Sequence, residues 1–112
     1  MSRITTHVLD TSLGKAVAAL PVSLSVHEGS AWRELARSQT DADGRVRQFL
    51  PDLPLELGTY RVSFETAAYF RAASRDAFFE RVTLEFRVAD AAQHYHVPLL
   101  LSPFGYTTYR GS

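Results

Sequence analysis

Three stretches of this chain alternate apolar and polar residues with period two, and that alternation constrains the fold more than any other feature. Val22, Leu24 and Val26 oppose Ser23, Ser25 and His27. Tyr60, Val62 and Phe64 oppose Arg61, Ser63 and Glu65, and Val82, Leu84, Phe86 and Val88 oppose Arg81, Thr83, Glu85 and Arg87. Successive side chains of a strand point to opposite faces, so each stretch reads as a strand with one buried and one wet face. Further strands are expected at Ile4–Asp10, around Trp32–Ser38, at Arg45–Phe49, at His94–Leu101 and at Tyr106–Arg110. Turn residues separate them: a hairpin at His27-Glu28-Gly29-Ser30, a tight turn at Asp41-Ala42-Asp43-Gly44 and an ordered loop at Pro51-Asp52-Leu53-Pro54. Residues 66–73 are Ala-rich and predict one short helix, with Thr66 as its N-cap. About eight short strands joined by such loops predict an all-β fold, a two-sheet antiparallel sandwich with one helix. A chain of 112 residues is one domain's worth, so a single domain is expected over 1–112.

Composition narrows the function classes. Forty-six per cent of the residues are apolar, enough for one core without outside staples. Twelve Lys and Arg balance twelve Asp and Glu, and no basic stretch occurs, which argues against nucleic acid or an anionic membrane as partner. There are no cysteines, so disulfides, thiolate metal sites and thiol chemistry are excluded together. The apolar run at 16–22 is short and broken by Pro21, far from the ~20 residues a membrane helix needs. With no cleavable leader either, the expectation is a cytoplasmic protein.

The chemistry must come from few groups. His7, His27, His94 and His96 are the side chains able to change charge near neutral pH. In His94–Leu101 the residues Tyr95, Val97, Leu99 and Leu101 are assigned to the core, leaving His94, His96, Pro98 and Leu100 on the other face. A Leu and a Pro beside two histidines is unusual for a face open to water, so a second subunit or a ligand cleft is expected to cover it. His94 and His96 project from one face of a strand, and with His7 would make a three-His zinc site. H-x-H is common by chance, however, and no acidic or thiolate ligand accompanies it, so no metal is expected. Asp41, Asp43 and Gly44 resemble the start of a calcium loop, but Arg45 stands where a third ligand belongs, and the turn reading prevails. Arg45 is either a solvated cation or an anchor for an anionic planar ligand. Tyr109 is either a half-buried strand aromatic or a hydrogen-bonding pocket wall. Aromatics and strand pattern run nearly to Ser112, which argues that the tail is tied down. No nucleophile elbow, phosphate-cradling glycine loop or paired-carboxylate motif is found.

Four segments together carry a resemblance: Ile4-Thr5-Thr6-His7-Val8-Leu9-Asp10, Thr40-Asp41-Ala42-Asp43-Gly44-Arg45, His94-Tyr95-His96-Val97-Pro98-Leu99-Leu100-Leu101-Ser102-Pro103 and Tyr109-Arg110-Gly111-Ser112. Over essentially its full length the chain resembles the transthyretin-like family, in its 5-hydroxyisourate hydrolase branch. The closing tetrapeptide is the most specific segment, since the hormone-carrying branch lacks it. The chain departs from the family pattern at Ala16 and in Phe78-Phe79-Glu80-Arg81, where proline is frequent; neither lies at the implied site. The resemblance implies a homotetramer around a channel, with active sites where two dimers meet. It implies hydrolysis of 5-hydroxyisourate to 2-oxo-4-hydroxy-4-carboxy-5-ureidoimidazoline in urate degradation, without a cofactor. By motif, His7, Arg45, Tyr109 and Ser112 with its terminal carboxylate would contact substrate, and His7, His96 and Arg45 would be catalytic. His94 and His27 inherit no catalytic role. The alternative from another class is a carrier that lodges a small aromatic ligand and does no chemistry.

Overall fold

The period-two segments become two facing sheets in the computed structural model, which describes residues 3–51 and 54–112. In chain order the elements are β1 (Ile4–Asp10), β2 (Lys15–Ala16), β3 (Pro21–Glu28), β4 (Ala31–Gln39), β5 (Arg45–Val46), β6 (Gly58–Phe64), α1 (Thr66–Ala72), β7 (Val82–Val88), β8 (Tyr95–Ser102) and β9 (Gly105–Thr108). One sheet runs β2-β1-β8-β9, with β5 also paired to β1; the other runs β4-β3-β6-β7. Alternate residues of both sheets meet between them. Ile4, Val8, Leu99 and Leu101 come from the first, Val22, Leu24, Tyr60, Val62, Phe64 and Val82 from the second. Burying each such side chain stabilises the fold by roughly 1.5–3 kcal/mol relative to leaving it in water.

The sandwich with one short helix is as expected, and four details differ. β1 and β8 pair in parallel, Ile4 opposite Tyr95 through Asp10 opposite Leu101, while the other ladders are antiparallel. Loop lengths speak only for neighbours in sequence, and these two strands lie at opposite ends of the chain. β5 ends at Val46 rather than running to Phe49, and the two-residue β2 had no period to betray it. Thr66 is not the N-cap. Glu65 holds that position, its N–H still bonded to the Pro21 carbonyl, so the backbone passes from β6 into the helix without an extended residue at 66. The burial of Phe70 holds α1 in place instead. Of the expected loop Pro51–Pro54, Asp52 and Leu53 lie outside the described residues.

A polar knot fastens α1 and the segment after it to the first sheet. The Asp10 carboxylate is fully buried and accepts hydrogen bonds from Arg75 (2.8 Å), the Tyr69 hydroxyl (2.7 Å), the Ser12 hydroxyl (2.7 Å) and two backbone N–H groups. Burial alone would raise its pKa, but these donors together outweigh it and hold the carboxyl well below the usual range. Among the described residues no helix is long and apolar enough to cross a membrane.

Candidate active site

Strand geometry assembles the site. On β1 the side chains of Ile4, Thr6, Val8 and Asp10 enter the core, so Thr5, His7 and Leu9 take the opposite face. The parallel register sets Thr5 opposite His96 and His7 opposite Pro98 on β8. On its other side His7 pairs with Arg45 of β5. Three residues far apart in sequence are thereby neighbours on the outer face of one sheet.

The turn before Arg45 explains how it gets there. Asp41 accepts through one carboxylate oxygen from the N–H groups of Asp43 (2.8 Å) and Arg45 (3.0 Å). Gly44 has φ +78°, and its carbonyl accepts from the N–H of Val8 at 2.8 Å. A Cβ built on Gly44 would lie 2.5 Å from the Val8 carbonyl oxygen, so only glycine allows the turn this close to β1. Arg47 is tethered to the same turn, donating to Asp41 at 3.2 Å and Asp43 at 3.3 Å.

His96 is the best-held group. Its Nδ1 lies 2.8 Å from the Thr5 hydroxyl, which also lies 3.1 Å from Nε2 of His94. The tail returns antiparallel to β8, the Gly111 N–H donating to the His96 carbonyl at 2.8 Å. A Cβ on Gly111 would fall 2.5 Å from His96 Cδ2, so the tail backbone packs on the ring itself. The expected tethering of the tail is thus present, and Arg110 adds to it by donating to Gln93 at 2.7 Å.

Around this ring lies a cleft of about 210 Å³, lined by Thr5, Thr6, Arg45, Arg47, His94, His96 and Ser112. The structure therefore brings Arg45, His96 and Ser112 together. His7 stands beside the cleft through its pairing with Arg45, its Nε2–H donating to the Asp43 carbonyl at 3.0 Å. A carbonyl only accepts, so Nδ1 is the unprotonated nitrogen of neutral His7. Tyr109 is 56% exposed and lines a different cavity, of about 170 Å³, with Leu84 and Phe86 of β7 and with His96. Thr5 and Arg47 were not singled out from the sequence; their signal was their place two residues before His7 and two after Arg45.

Both site imidazoles are biased toward the neutral form. Burial lowers the pKa of His96, and the positive charge of Arg45 and the neighbouring His94 and His7 lower it further. His7 is lowered by burial and by Arg45, against opposing contributions from the Asp43 carbonyl and the Asp41 charge. The rings of His94 and His96 stand nearly parallel (11°), 6.4 Å apart, and both address Thr5 rather than a shared point where an ion would sit. Among the described residues no group of three His, Asp or Glu side chains is arranged to hold a metal ion.

A family model described as HIUase/Transthyretin family matches residues 4–111. The chain is 47% identical over 115 residues to 5-hydroxyisourate hydrolase 2 of Rhizobium meliloti, covering 98% of this chain and 96% of that one. The solved 5-hydroxyisourate hydrolase of Klebsiella pneumoniae superposes with a TM-score of 0.88 at 38% identity, covering all of both chains. Sea bream transthyretin in complex with thyroxine superposes with a TM-score of 0.92 at 29% identity, covering 97% and 94%.

Proposed function

The chain belongs to the HIUase/Transthyretin family, and from that premise we propose that it hydrolyses 5-hydroxyisourate, opening the six-membered ring at an amide-like C–N bond. The observation that carries the reading is the convergence of His96, Arg45 and Ser112 on one polar cleft with His7 beside it. Backbone similarity alone does not separate hydrolase from carrier, since a hydrolase and a thyroxine-bound transthyretin both superpose closely. The cleft favours the hydrolase: a channel that only lodges a small aromatic ligand has no need of imidazoles kept neutral and able to take a proton.

Ring opening needs a nucleophilic water, stabilisation of the developing oxyanion and a proton for the departing nitrogen. His96, neutral near pH 7 and lining the cleft, takes the water's proton at Nε2. The new C–O bond forms as the C–N bond breaks, leaving a carboxylate on one side and an N–H on the other. The proton that His96 took then passes to the departing nitrogen, directly or by way of His7, whose unprotonated Nδ1 accepts it and hands it on. Arg45 holds the oxygen-rich, partly anionic ring through paired N–H donors, which a Lys point charge does less well. Ser112 and Tyr109 fix the substrate's orientation. No cofactor enters this scheme.

Tyr109, outside the cleft in a single chain, joins the site in the assembly we propose: one domain over residues 1–112, four copies around a channel, the sites where two dimers meet. The exposed aromatics Phe78, Phe79, Phe104 and Tyr106 support burial of further surface between copies.

The test compares two variants with the parent chain on 5-hydroxyisourate. His96→Ala is expected to lose ~10²–10⁴-fold in turnover, the contribution of a positioned base, with an unchanged circular dichroism spectrum. Arg45→Lys is expected to raise KM by about tenfold with a smaller effect on kcat, the signature of a lost charge-assisted hydrogen bond. Normal turnover by His96→Ala would refute the assignment of the base.

A further inference from the structure

We infer that Thr5 is a positioning residue for this reaction, its hydroxyl holding His96 in the tautomer whose Nε2 is free to accept a proton. The inference rests on the hydrolase reading and adds to it the group that decides which ring nitrogen is reactive.

Thr5 is 6% exposed and lies opposite His96 in the β1–β8 ladder, so the sheet itself, not a mobile loop, sets their separation. Its oxygen is 2.8 Å from His96 Nδ1 and 3.1 Å from His94 Nε2. A hydroxyl carries one hydrogen and two lone pairs, so it cannot donate to both rings. A His96 that takes a proton at Nε2 carries its ring hydrogen on Nδ1, and that N–H needs an acceptor. Thr5 supplies one by giving its own hydrogen to His94 Nε2. The chain then runs in one direction: His96 Nδ1–H to Thr5 Oγ1, and Thr5 Oγ1–H to His94 Nε2. Gly111 packs on Cδ2 at the opposite edge of the His96 ring, where the tail leaves no room for a Cβ, so the ring is held at both edges. With Nδ1 on Thr5, Nε2 is the ring nitrogen still to be used, and His96 lines the cleft. This also gives the second histidine of the His94-Tyr95-His96 step a purpose without a metal: it takes the Thr5 hydrogen and so keeps the Thr5 lone pair turned to His96.

Two readouts test the inference on the full chain. The first is the nitrogen spectrum of the chain with ¹⁵N-labelled histidine at a pH where His96 is neutral. The expected result is a protonated Nδ1 and an unprotonated Nε2 at His96, with the Nε2–H form appearing in Thr5→Val. The second is turnover of 5-hydroxyisourate. Thr5→Val is expected to lower kcat about 10- to 100-fold with KM little changed, the range that follows loss of the partner orienting a ligating imidazole. Thr5→Ser, which restores the hydroxyl, is expected to recover both the tautomer and most of kcat. His94→Phe, which frees the Thr5 hydrogen to turn onto His96, is expected to lower kcat in the same sense. An Nε2–H tautomer at His96 in the parent chain overturns the inference even if no variant folds. So does a parent chain that turns over while Thr5→Val keeps its kcat. A parent chain that does not accelerate decay of the substrate contradicts the hydrolase reading itself, and the inference with it.

Discussion

At the residue scale the proposed mechanism depends on imidazoles kept neutral. Burial and the Arg45 charge lower the pKa of both His7 and His96, and the neutral ring is the form that accepts a proton. A lowered pKa keeps that form populated further into acid. The acid-side decline of the activity profile is therefore expected to have its midpoint below ~6.5, the ordinary histidine value. A kcat/KM midpoint at or above ~6.5 would contradict this. Gly111 offers a second check. An Ala there puts a Cβ against His96 Cδ2 and must push either the tail or the ring. Gly111→Ala is expected to lose activity at least tenfold, while thermal unfolding moves by only a few degrees, in line with a change of about 1 kcal/mol. His7, Arg45 and His96 were singled out by the resemblance of their segments to the family, whereas spacing alone left Arg45 either a solvated cation or an anchor. The structure sets Arg45 and His96 on one cleft with His7 beside it. Thr5 was not, because a Thr two residues before a His on a strand says nothing until the partner strand is known. The placement of Tyr109 depends on where the tail lies relative to β7, which no local pattern encodes.

At the element scale, what was legible followed the side-chain period and what was not followed from tertiary contacts. β3, β6 and β7 announce themselves by alternation, whereas β2 and β5 owe their two-residue pairings to β1 rather than to any period of their own. The turn at Asp41–Gly44 was readable from its residues, and it sets Arg45 opposite His7 and on the cleft, which in the proposed mechanism is a delivery role. Gly44→Ala forces a non-glycine residue to φ +78° against the Val8 carbonyl and is expected to cost at least the ~1–2 kcal/mol of a left-handed residue. Because Arg45 follows directly, kcat/KM is expected to fall by more than the stability change explains; equal losses would contradict the delivery role. The tie from Asp10 to α1 is a separate device. Arg75→Ala leaves a buried carboxylate short of its cation and is expected to destabilise by about 3 kcal/mol in urea unfolding. The folded-state pKa of Asp10 is depressed, so its contribution is present above the unfolded value near ~4 and is lost as pH falls toward the folded one. Asp10→Asn is expected to flatten the acid side of the stability profile.

At the scale of the whole molecule, the sandwich was legible from period and turn chemistry, but the parallel β1–β8 pair that builds the site was not, since it joins the two ends of the chain. That pairing brings the first and third resemblance segments together and lets the tail fold back over His96. The half-buried Leu9, His96 and Leu100 share that outer face. If four copies close over it, sedimentation should give a mass about four times the 12.5 kDa of one chain, and a monomer at micromolar concentration would remove the shared-site part of the account. The measurement that tests the central claim most directly generates 5-hydroxyisourate in the cuvette from urate and urate oxidase and follows its ultraviolet absorbance. This protein is then added, with and without a chelator. The account predicts decay faster than the protein-free control and unchanged by the chelator. Decay at the uncatalysed rate in the presence of folded protein would contradict it and leave a carrier in the hydrolase's place.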